Sequence, residues 1–408
     1  MRPAQLIRSF EQITTDRLGS DRPVVTLFSG GLDSSYLLYR LRYGGFREIH
    51  AVSIDLGEDE SSAAKQAIAD RLGVRLHILD GRQAFAEEFV RPAITAQAVY
   101  LDTHPVSSTL SRPLIARLAV RTARELGACA VLHTANRSQN TLRRLNGALA
   151  LLGFDGWYGS PYDLEPVDRE RKIRELKEIG LDELSDRVVS GDSNLWCREF
   201  ESGILDDPEE HCVPEHMYRW SAIRDTGDNE RIEIGFVHGV PRSVDGVEMP
   251  MVELIAALNR RVGAFGIGRY AGLEHLDDGE KVLEIREMPA ACLLLRSYRQ
   301  VESATLAAET IREKMHLEQL WVREALEGRW FGELRGAVQS FMDSCAEHTT
   351  GSVEWALRVG AADTRGVHAG RPTYVRDREA WEKESIRAES SAYTCGYTCT
   401  RGAAYSGV

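Results

Sequence analysis

At 408 residues, 43% hydrophobic and 27% charged, the chain has the make-up of a folded globular protein with room for two or three domains, which excludes fibrous and disordered classes. Its 50 Lys and Arg against 62 Asp and Glu leave a net charge of −12, so the dominant basic footprint of a nucleic-acid binder is missing. No run is long and apolar enough to span a bilayer, and Met1 to Ser20 is broken by Arg2, Arg8, Glu11, Asp16 and Arg17, unlike a signal peptide; a cytoplasmic protein is expected.

In chain order, Pro3 to Leu18 reads as a short amphipathic helix, and Val24-Val25-Thr26-Leu27-Phe28 as a buried strand. Ser29-Gly30-Gly31-Leu32-Asp33-Ser34-Ser35 follows, and then a helix-like run from Tyr36 to Leu41. Ile49–Leu56 is a second strand, Ser61–Leu72 a helix, Val74–Asp80 a third strand and Gln83–Gln97 a long helical pattern. Pro113–Leu126 is helical again and leads into the strand Ala128–His133. Strands alternating with helices of this length predict a parallel sheet with helices on both faces, whose loops after Phe28, Leu56 and His133 share one crevice.

Composition changes after about Ile179. Asp206 to Asp228 reads as loop, and Arg231–Val237 with Arg242–Gly246 as a hairpin. Met251–Val262 and Leu306–Leu326 are helical by period, and a polar tail follows Ser385. The expected division is an extension over 1–22, a nucleotide-binding α/β domain over 23–180, a second α+β domain over 181–384 and a C-terminal tail over 385–408. Gly263, Gly266 and Gly268 lack the strand context of a dinucleotide site and read as a turn. The seven cysteines are scattered and odd in number, which favours free thiols; Cys395 and Cys399 fall in the tail. His211, Cys212 and His216 have no second ligand pair, so no side-chain metal site is expected.

The sharpest feature is the Gly30-Gly31 break between strand and helix. It presents backbone N–H groups and a helix N-terminus to an anion, with Ser29, Ser34 and Ser35 as further donors. No Lys follows the glycines, so this is not a Walker loop. The SGGxDS pattern resembles the pyrophosphate-binding loop of the N-type ATP pyrophosphatases, which cut ATP between its α and β phosphates.

Further segments in order carry a narrower resemblance: Tyr100 to Pro113, Asp192-Ser193-Asn194-Leu195 through Glu201 to Pro208, and Gly266-Ile267-Gly268-Arg269 with Glu274. Over nearly the whole chain after residue 22 this is similar to the argininosuccinate synthase family. That resemblance implies a ligase using ATP with Mg2+. The ureido oxygen of citrulline takes AMP, pyrophosphate leaves, and the amine of aspartate displaces AMP. It also implies a homotetramer with crossing C-terminal arms, small-molecule amino-acid substrates and no membrane or nucleic-acid partner.

Carried over residue by residue, Ser29, Gly30, Gly31, Asp33, Ser34 and Ser35 match the phosphate loop, Ile54 faces adenine, and Thr134 stands at a nucleotide-lining position. Ser29, Asp33 and Arg112 are the catalytic candidates. Asn140, Arg144, Ser190, Glu201 and Glu274 match the acceptor site. The chain departs from the family at His104 (Tyr there), Thr109 (Ser), Glu199 (Ser) and Arg286 (Tyr). Two new charges near a small ligand are costly unless paired, so Glu199 and Arg286 are expected to pair with each other or with a different substrate. The family's HGATGKGND loop becomes His133 to Thr141, with Thr134, Arg137 and Gln139 at glycine positions, Asn136 for the aspartate-binding Thr and Thr141 for the acid. Citrulline and aspartate are the default pair; the altered loop either repacks and still binds aspartate or selects a different nucleophile, with Arg137 offering a cation to pyrophosphate or a carboxylate. Two rival readings are an RNA-modifying adenylating enzyme, disfavoured by the acidic balance, and a non-catalytic nucleotide-binding regulator.

Overall fold

The structure is a computed structural model that describes residues 5–19, 21–57, 62–182, 190–201, 203–205, 207–210, 212–224, 229–276 and 279–394. In the first half, strands β1 (Leu6–Ile7), β2 (Val24–Leu27), β3 (Ile49–Asp55), β4 (Arg75–Asp80), β5 (Val99–Tyr100), β6 (His104–Pro105), β7 (Ala130–Leu132) and β8 (Trp157–Gly159) alternate with helices. These are α1 (Thr15–Leu18), α2 (Leu32–Tyr43), α3 (Ser62–Leu72), α4 (Arg82–Phe85), α5 (Arg91–Thr95), α6 (Ser108–Leu126), α7 (Thr141–Leu151) and α8 (Arg169–Lys177). Six strands form one parallel sheet in the order β1-β8-β7-β2-β3-β4, and β5 and β6 make a separate small ladder.

Alternation along the strands builds two cores. Val25, Val52 and Val131 point to the side of α4 to α7, whereas Val24, Ala51 and Ala130 face α2, α3 and α8. Because β7, β2 and β3 are parallel neighbours, their carboxyl ends lie at one edge of the sheet and open into one crevice, beside Phe28, Leu56 and His133; residues 58–61 of the second loop lie outside the described residues.

The second half adds β9 (Ser190–Ser193), β10 (Arg198–Glu201), β11 (Glu230–Val237), β12 (Val240–Val244), β13 (Val247–Glu248), β14 (Arg269–His275), β15 (Lys281–Glu287), β16 (Gly351–Arg358) and β17 (Ala361–Ala369). Its helices are α9 (Met251–Gly263), α10 (Pro289–Thr305), α11 (Ala308–Leu326), α12 (Glu333–Ala346) and α13 (Arg378–Thr394). Two antiparallel sheets result, β14-β15-β10-β9 and β13-β12-β11-β16-β17. On the four-stranded sheet, Phe200, Leu283 and Ile285 bury one face. Glu199 and Glu201 lie on the opposite face, with Arg286 registered against Glu199 and Asp192 against it on the other side.

Three local expectations are corrected. Pro3–Leu18 is not one helix: β1 pairs with β8, a 3-10 turn covers Phe10–Gln12, and only Thr15–Leu18 is α-helical. The parallel ladder satisfies backbone groups that a helix over Leu6–Ile7 would have had to satisfy internally. The helix put at Gln83–Gln97 runs Arg82–Thr95 with a π-turn at Ala86–Val90, and the next helix begins at Ser108, ahead of Pro113. The polar stretch after Ser385 is still helix, since α13 continues to Thr394, supported by the Lys383–Glu379 pair one turn apart. Cys395, Cys399 and His211 lie outside the described residues.

Candidate active site

The phosphate loop is built by a reversal that only a glycine makes cheaply: Gly30 has φ 78°, so the chain turns directly from β2 into α2. Ser34 and Ser35 hydroxyls donate to the Gly31 carbonyl at 3.1 and 2.8 Å, and the Gly31 N–H donates to Ser29 Oγ at 3.3 Å. Ser29 Oγ also lies 3.2 Å from Ser34 Oγ. Ser29 is exposed, so its hydroxyl and the first amides of α2 border the crevice. Asp33, in the first turn, accepts a hydrogen bond from Lys172 Nζ at 2.5 Å. Ile54 is buried near the end of β3, and Thr134 is half-buried just past β7.

Across the crevice, Glu274 on β14 gathers the acceptor residues. It accepts from Asn140 Nδ2 and Arg286 Nη2, both at 2.8 Å, and from Arg144 Nη2. Arg144 also donates from Nη1 to Ser108 Oγ at 2.6 Å. Arg286 donates from Nε to Glu199 at 2.9 Å and also engages Glu284, so the two charges foreign to the family do pair with each other. His104 Nε2 is 4.0 Å from Glu274 Oε2, and its other ring nitrogen is 3.0 Å from Thr103 Oγ1. A Cβ at Gly272 would come within 2.3 Å of that imidazole, which is why β14 carries glycine there. Thr109 is buried in the first turn of α6. Ser190 is placed opposite Glu201 in the β9–β10 ladder.

Burial dominates the electrostatics here. It pushes His104 down to about 3, helped by the Arg286 charge, so its imidazole is neutral. Burial, reinforced by the Glu199 carboxylate, pushes Glu201 up to about 7. Glu199 is also raised by burial, against the pull of Arg286. For Glu274 burial works upward too, but Arg144 and Arg286 outweigh it and hold the carboxyl well below the usual range. Four polar atoms around this network, His104 Nε2, Asn140 Oδ1, Arg144 Nε and Arg286 Nη1, are buried without a hydrogen-bond partner.

Arg112 on α6 links the two halves. It donates to Asp192 at 2.6 Å, to Ser111 Oγ at 3.0 Å and to Thr141 Oγ1 at 3.3 Å. In the segment after β7, Asn136 Oδ1 accepts from the Ser138 N–H and hydroxyl, and Arg137 donates to Asp163, beyond β8, at 3.0 Å. Asp163 is shared with Arg8. Both arginines hold its carboxyl down against the upward effect of burial. Thus Asn140, Arg144, Glu199, Glu274 and Arg286 converge on one network and Arg112 bonds to Asp192 and Thr141, while Asn136 and Arg137 stand apart, engaged with Ser138 and Asp163.

Comparison with known proteins decides what kind of site this is. A model of the arginosuccinate synthase N-terminal HUP domain matches residues 23–152, and one of the arginosuccinate synthase C-terminal domain matches 189–394. The chain belongs to the argininosuccinate synthase family. The argininosuccinate synthase of Rubrobacter xylanophilus is 34% identical over 375 residues, 91% of each chain. That of Parasynechococcus marenigrum is 36% identical over 354 residues, 86% of this chain and 88% of that protein. That of Pyrococcus furiosus is 31% identical over 365 residues, 89% of this chain and 88% of that one. Argininosuccinate synthases are ATP-using, AMP-forming carbon–nitrogen ligases that condense citrulline and aspartate.

Several site residues escaped sequence reasoning. Lys172 on α8 and Lys65 on α3 reach the phosphate loop from elsewhere in the chain: a Cβ on Gly30 would lie 3.1 Å from Lys65 Cγ, and Lys65 Nζ donates to Ser53 at 3.1 Å. Glu284 and Ser108 were missed as well; the i, i+2 spacing of Glu284 and Arg286 on one strand face was the available signal. For Mg2+, the loop supplies the single carboxylate of Asp33. Among the described residues no group of three His, Cys, Asp or Glu side chains gathers as a cage. Those residues would fit a Mg2+ carried by the triphosphate, which would neutralise phosphate charge there, with Asp33 as the protein group suited to hold it.

Proposed function

We propose that this family member adenylates a ureido or carbonyl oxygen on a citrulline-like amino acid and condenses that carbon with an amine. The working units are a nucleotide-binding domain over 23–180 and an acceptor-binding domain over 181–384. The acceptor oxygen attacks the α-phosphorus of ATP, and the bond to the bridging oxygen breaks with its electron pair leaving on pyrophosphate. The amine then adds to the activated carbon, and AMP departs with the C–O electrons. The observation that carries this reading is the serine-lined reversal at Gly30-Gly31 ahead of α2, a nest of main-chain N–H groups aimed at leaving phosphate. Arg112 stands between the halves, where it would steady the reacting groups. Citrulline and aspartate are the default pair.

A second reading, with another acceptor or nucleophile, is favoured by Arg286, whose guanidinium is held by Glu199, Glu274 and Glu284 in the acceptor network. The engagement of Asn136 with Ser138 and of Arg137 with Asp163 points the same way for the nucleophile. The exposed helix α13, with Trp381 and Ile386 in the open, is the element through which copies would associate as a tetramer.

A pyrophosphate-release assay tests the proposal, first with citrulline and then with aspartate or other amines. AMP and pyrophosphate are expected, and Ser29→Ala or Asp33→Ala should lower release by about 100-fold or more. ADP as the product, or full turnover in both variants, would overturn it. Release with citrulline that ignores aspartate would select the second reading.

A further inference from the structure

We propose that Lys172 is a phosphate-binding residue, one that grips the β and γ phosphates of ATP and stays with pyrophosphate as it leaves. The inference rests on the nucleotide reading above and adds to it a cation that the loop's own sequence lacks.

Lys172 projects from α8, 139 residues from its partner Asp33. Its side chain is 11% exposed, while that of Asp33 is 37% exposed and opens to the crevice. The ammonium carries three N–H donors. One goes to Asp33 Oδ1, and the group also lies 5.6 Å from the Tyr162 ring, which fixes its position.

A purely structural role accounts poorly for this arrangement. α8 is docked on α2 without the lysine: Tyr36 on α2 donates to Glu175 on α8 at 2.8 Å, and Leu176 buries among the α2 leucines. Tyr162, just upstream of α8, donates to the Asp33 carbonyl at 3.1 Å. An ion pair with one partner this exposed adds little to stability. The placement also opposes the helix field. A cation at the N-terminus of α2 meets the positive end of the macrodipole, and Asp33 is already favourably placed there without it. Both features make sense once a polyanion occupies the nest. Asp33 then serves as the resting partner that holds Lys172 at the loop, and the remaining donors meet phosphate oxygens.

The chemistry asks for such a group. When the α-phosphorus bond to the bridging oxygen breaks, the electron pair moves onto pyrophosphate, and a fixed ammonium beside that group stabilises the charge as it develops. No proton is transferred in this step. Lys65, whose stem walls Gly30 on the α3 side, bounds the same space.

Calorimetry with inorganic pyrophosphate, ATP and AMP on the wild type, Lys172→Gln and Lys172→Arg separates the possibilities. Loss of one charge-assisted contact should weaken pyrophosphate and ATP roughly 10- to 100-fold in Lys172→Gln and leave AMP within about twofold, with Arg restoring most of the loss. Pyrophosphate binding unchanged in Lys172→Gln, or AMP falling in step with it, would refute the assignment. Should Lys172→Gln not fold, acetylation of the wild-type lysine read by mass spectrometry decides: pyrophosphate must protect Lys172 and AMP must not. A wild type that binds neither ATP nor pyrophosphate would instead sink the nucleotide reading itself, and Lys172 with it.

Discussion

Glu201 and Glu199 alternate with Phe200 on β10, so both carboxylates face the crevice while the ring between them packs into the opposite core. Burial and the Glu199 charge raise Glu201 from the ordinary 4.5 to about 7. The folded protein therefore holds this proton more tightly than the unfolded chain does. Its contribution is fully present below about pH 4.5 and is lost as pH rises through 7. Glu201→Gln removes that loss. It should be more stable than the wild type by about 1–2 kcal/mol at pH 8, allowing for solvent screening of a half-buried group, and no more stable at pH 4. Urea denaturation at the two pH values measures this, and a variant no more stable than the wild type at pH 8 would contradict it. The neighbouring Arg286–Glu199 pair shows what the residue scale makes legible: two charges in one buried site must be compensated, by each other or by a ligand, and the geometry has them pair with each other. Their further engagement of Glu274 and Glu284 depended on sheet register, which residue identity does not reveal.

Among the elements, β1 shows how little local pattern controls a short edge strand. Its two residues, Leu6 and Ile7, hold their place because β8, about 150 residues later, runs parallel beside them. The contact is close: Gly159 has φ 133°, and a Cβ there would sit 2.3 Å from the Ile7 carbonyl. Gly159→Ala should therefore cost roughly 2 kcal/mol through strain and displacement of the strand. Hydrogen exchange is the direct probe. The Ile7 region should lose protection while β2 and β3 keep theirs, and unchanged protection in β1 would show that the strand does not depend on this approach. The same reasoning marks where the sequence was readable. The apolar runs of β2 and β3 and the glycine break after Phe28 signal themselves locally, because a buried parallel strand is apolar on both faces. By contrast α13 has no apolar stripe, so it reads as tail, and Lys172 reaches the phosphate loop only through the packing of α8 on α2. Tertiary neighbours supplied what local periodicity did not contain.

The whole molecule is fastened across the crevice, and this decides how it should unfold. One continuous apolar core includes Val25, Val52 and Val131 from the parallel sheet together with Ile232, Trp355 and Val353 from the five-stranded sheet. Phe89, in the π-turn of the first half, stacks on Trp330 of the second at 4.8 Å between ring centroids. Polar ties run the same way: Leu195 N–H donates to the Leu56 carbonyl at 2.7 Å, Arg112 pairs with Asp192, and Arg144 and Asn140 engage Glu274. Opening the crevice would expose that shared core and part the buried Arg144 from Glu274, while Arg286 kept its partners in the second half; breaking that one buried pair carries a penalty of several kcal/mol. The two halves should therefore unfold together despite separate sheets. All seven tryptophans but Trp157 belong to the second half, so fluorescence of a Trp157→Phe variant reports on that half, while far-UV circular dichroism averages the whole chain. Their urea midpoints should coincide. Pyrophosphate at about a hundredfold excess over its Kd should stabilise both signals equally, by about 2.7 kcal/mol, although it would bind only beside α2. If the circular dichroism transition moved with ligand while the tryptophan transition stayed fixed, the halves would be separate cooperative units, and the charged network between them would not be coupling acceptor site to nucleotide site.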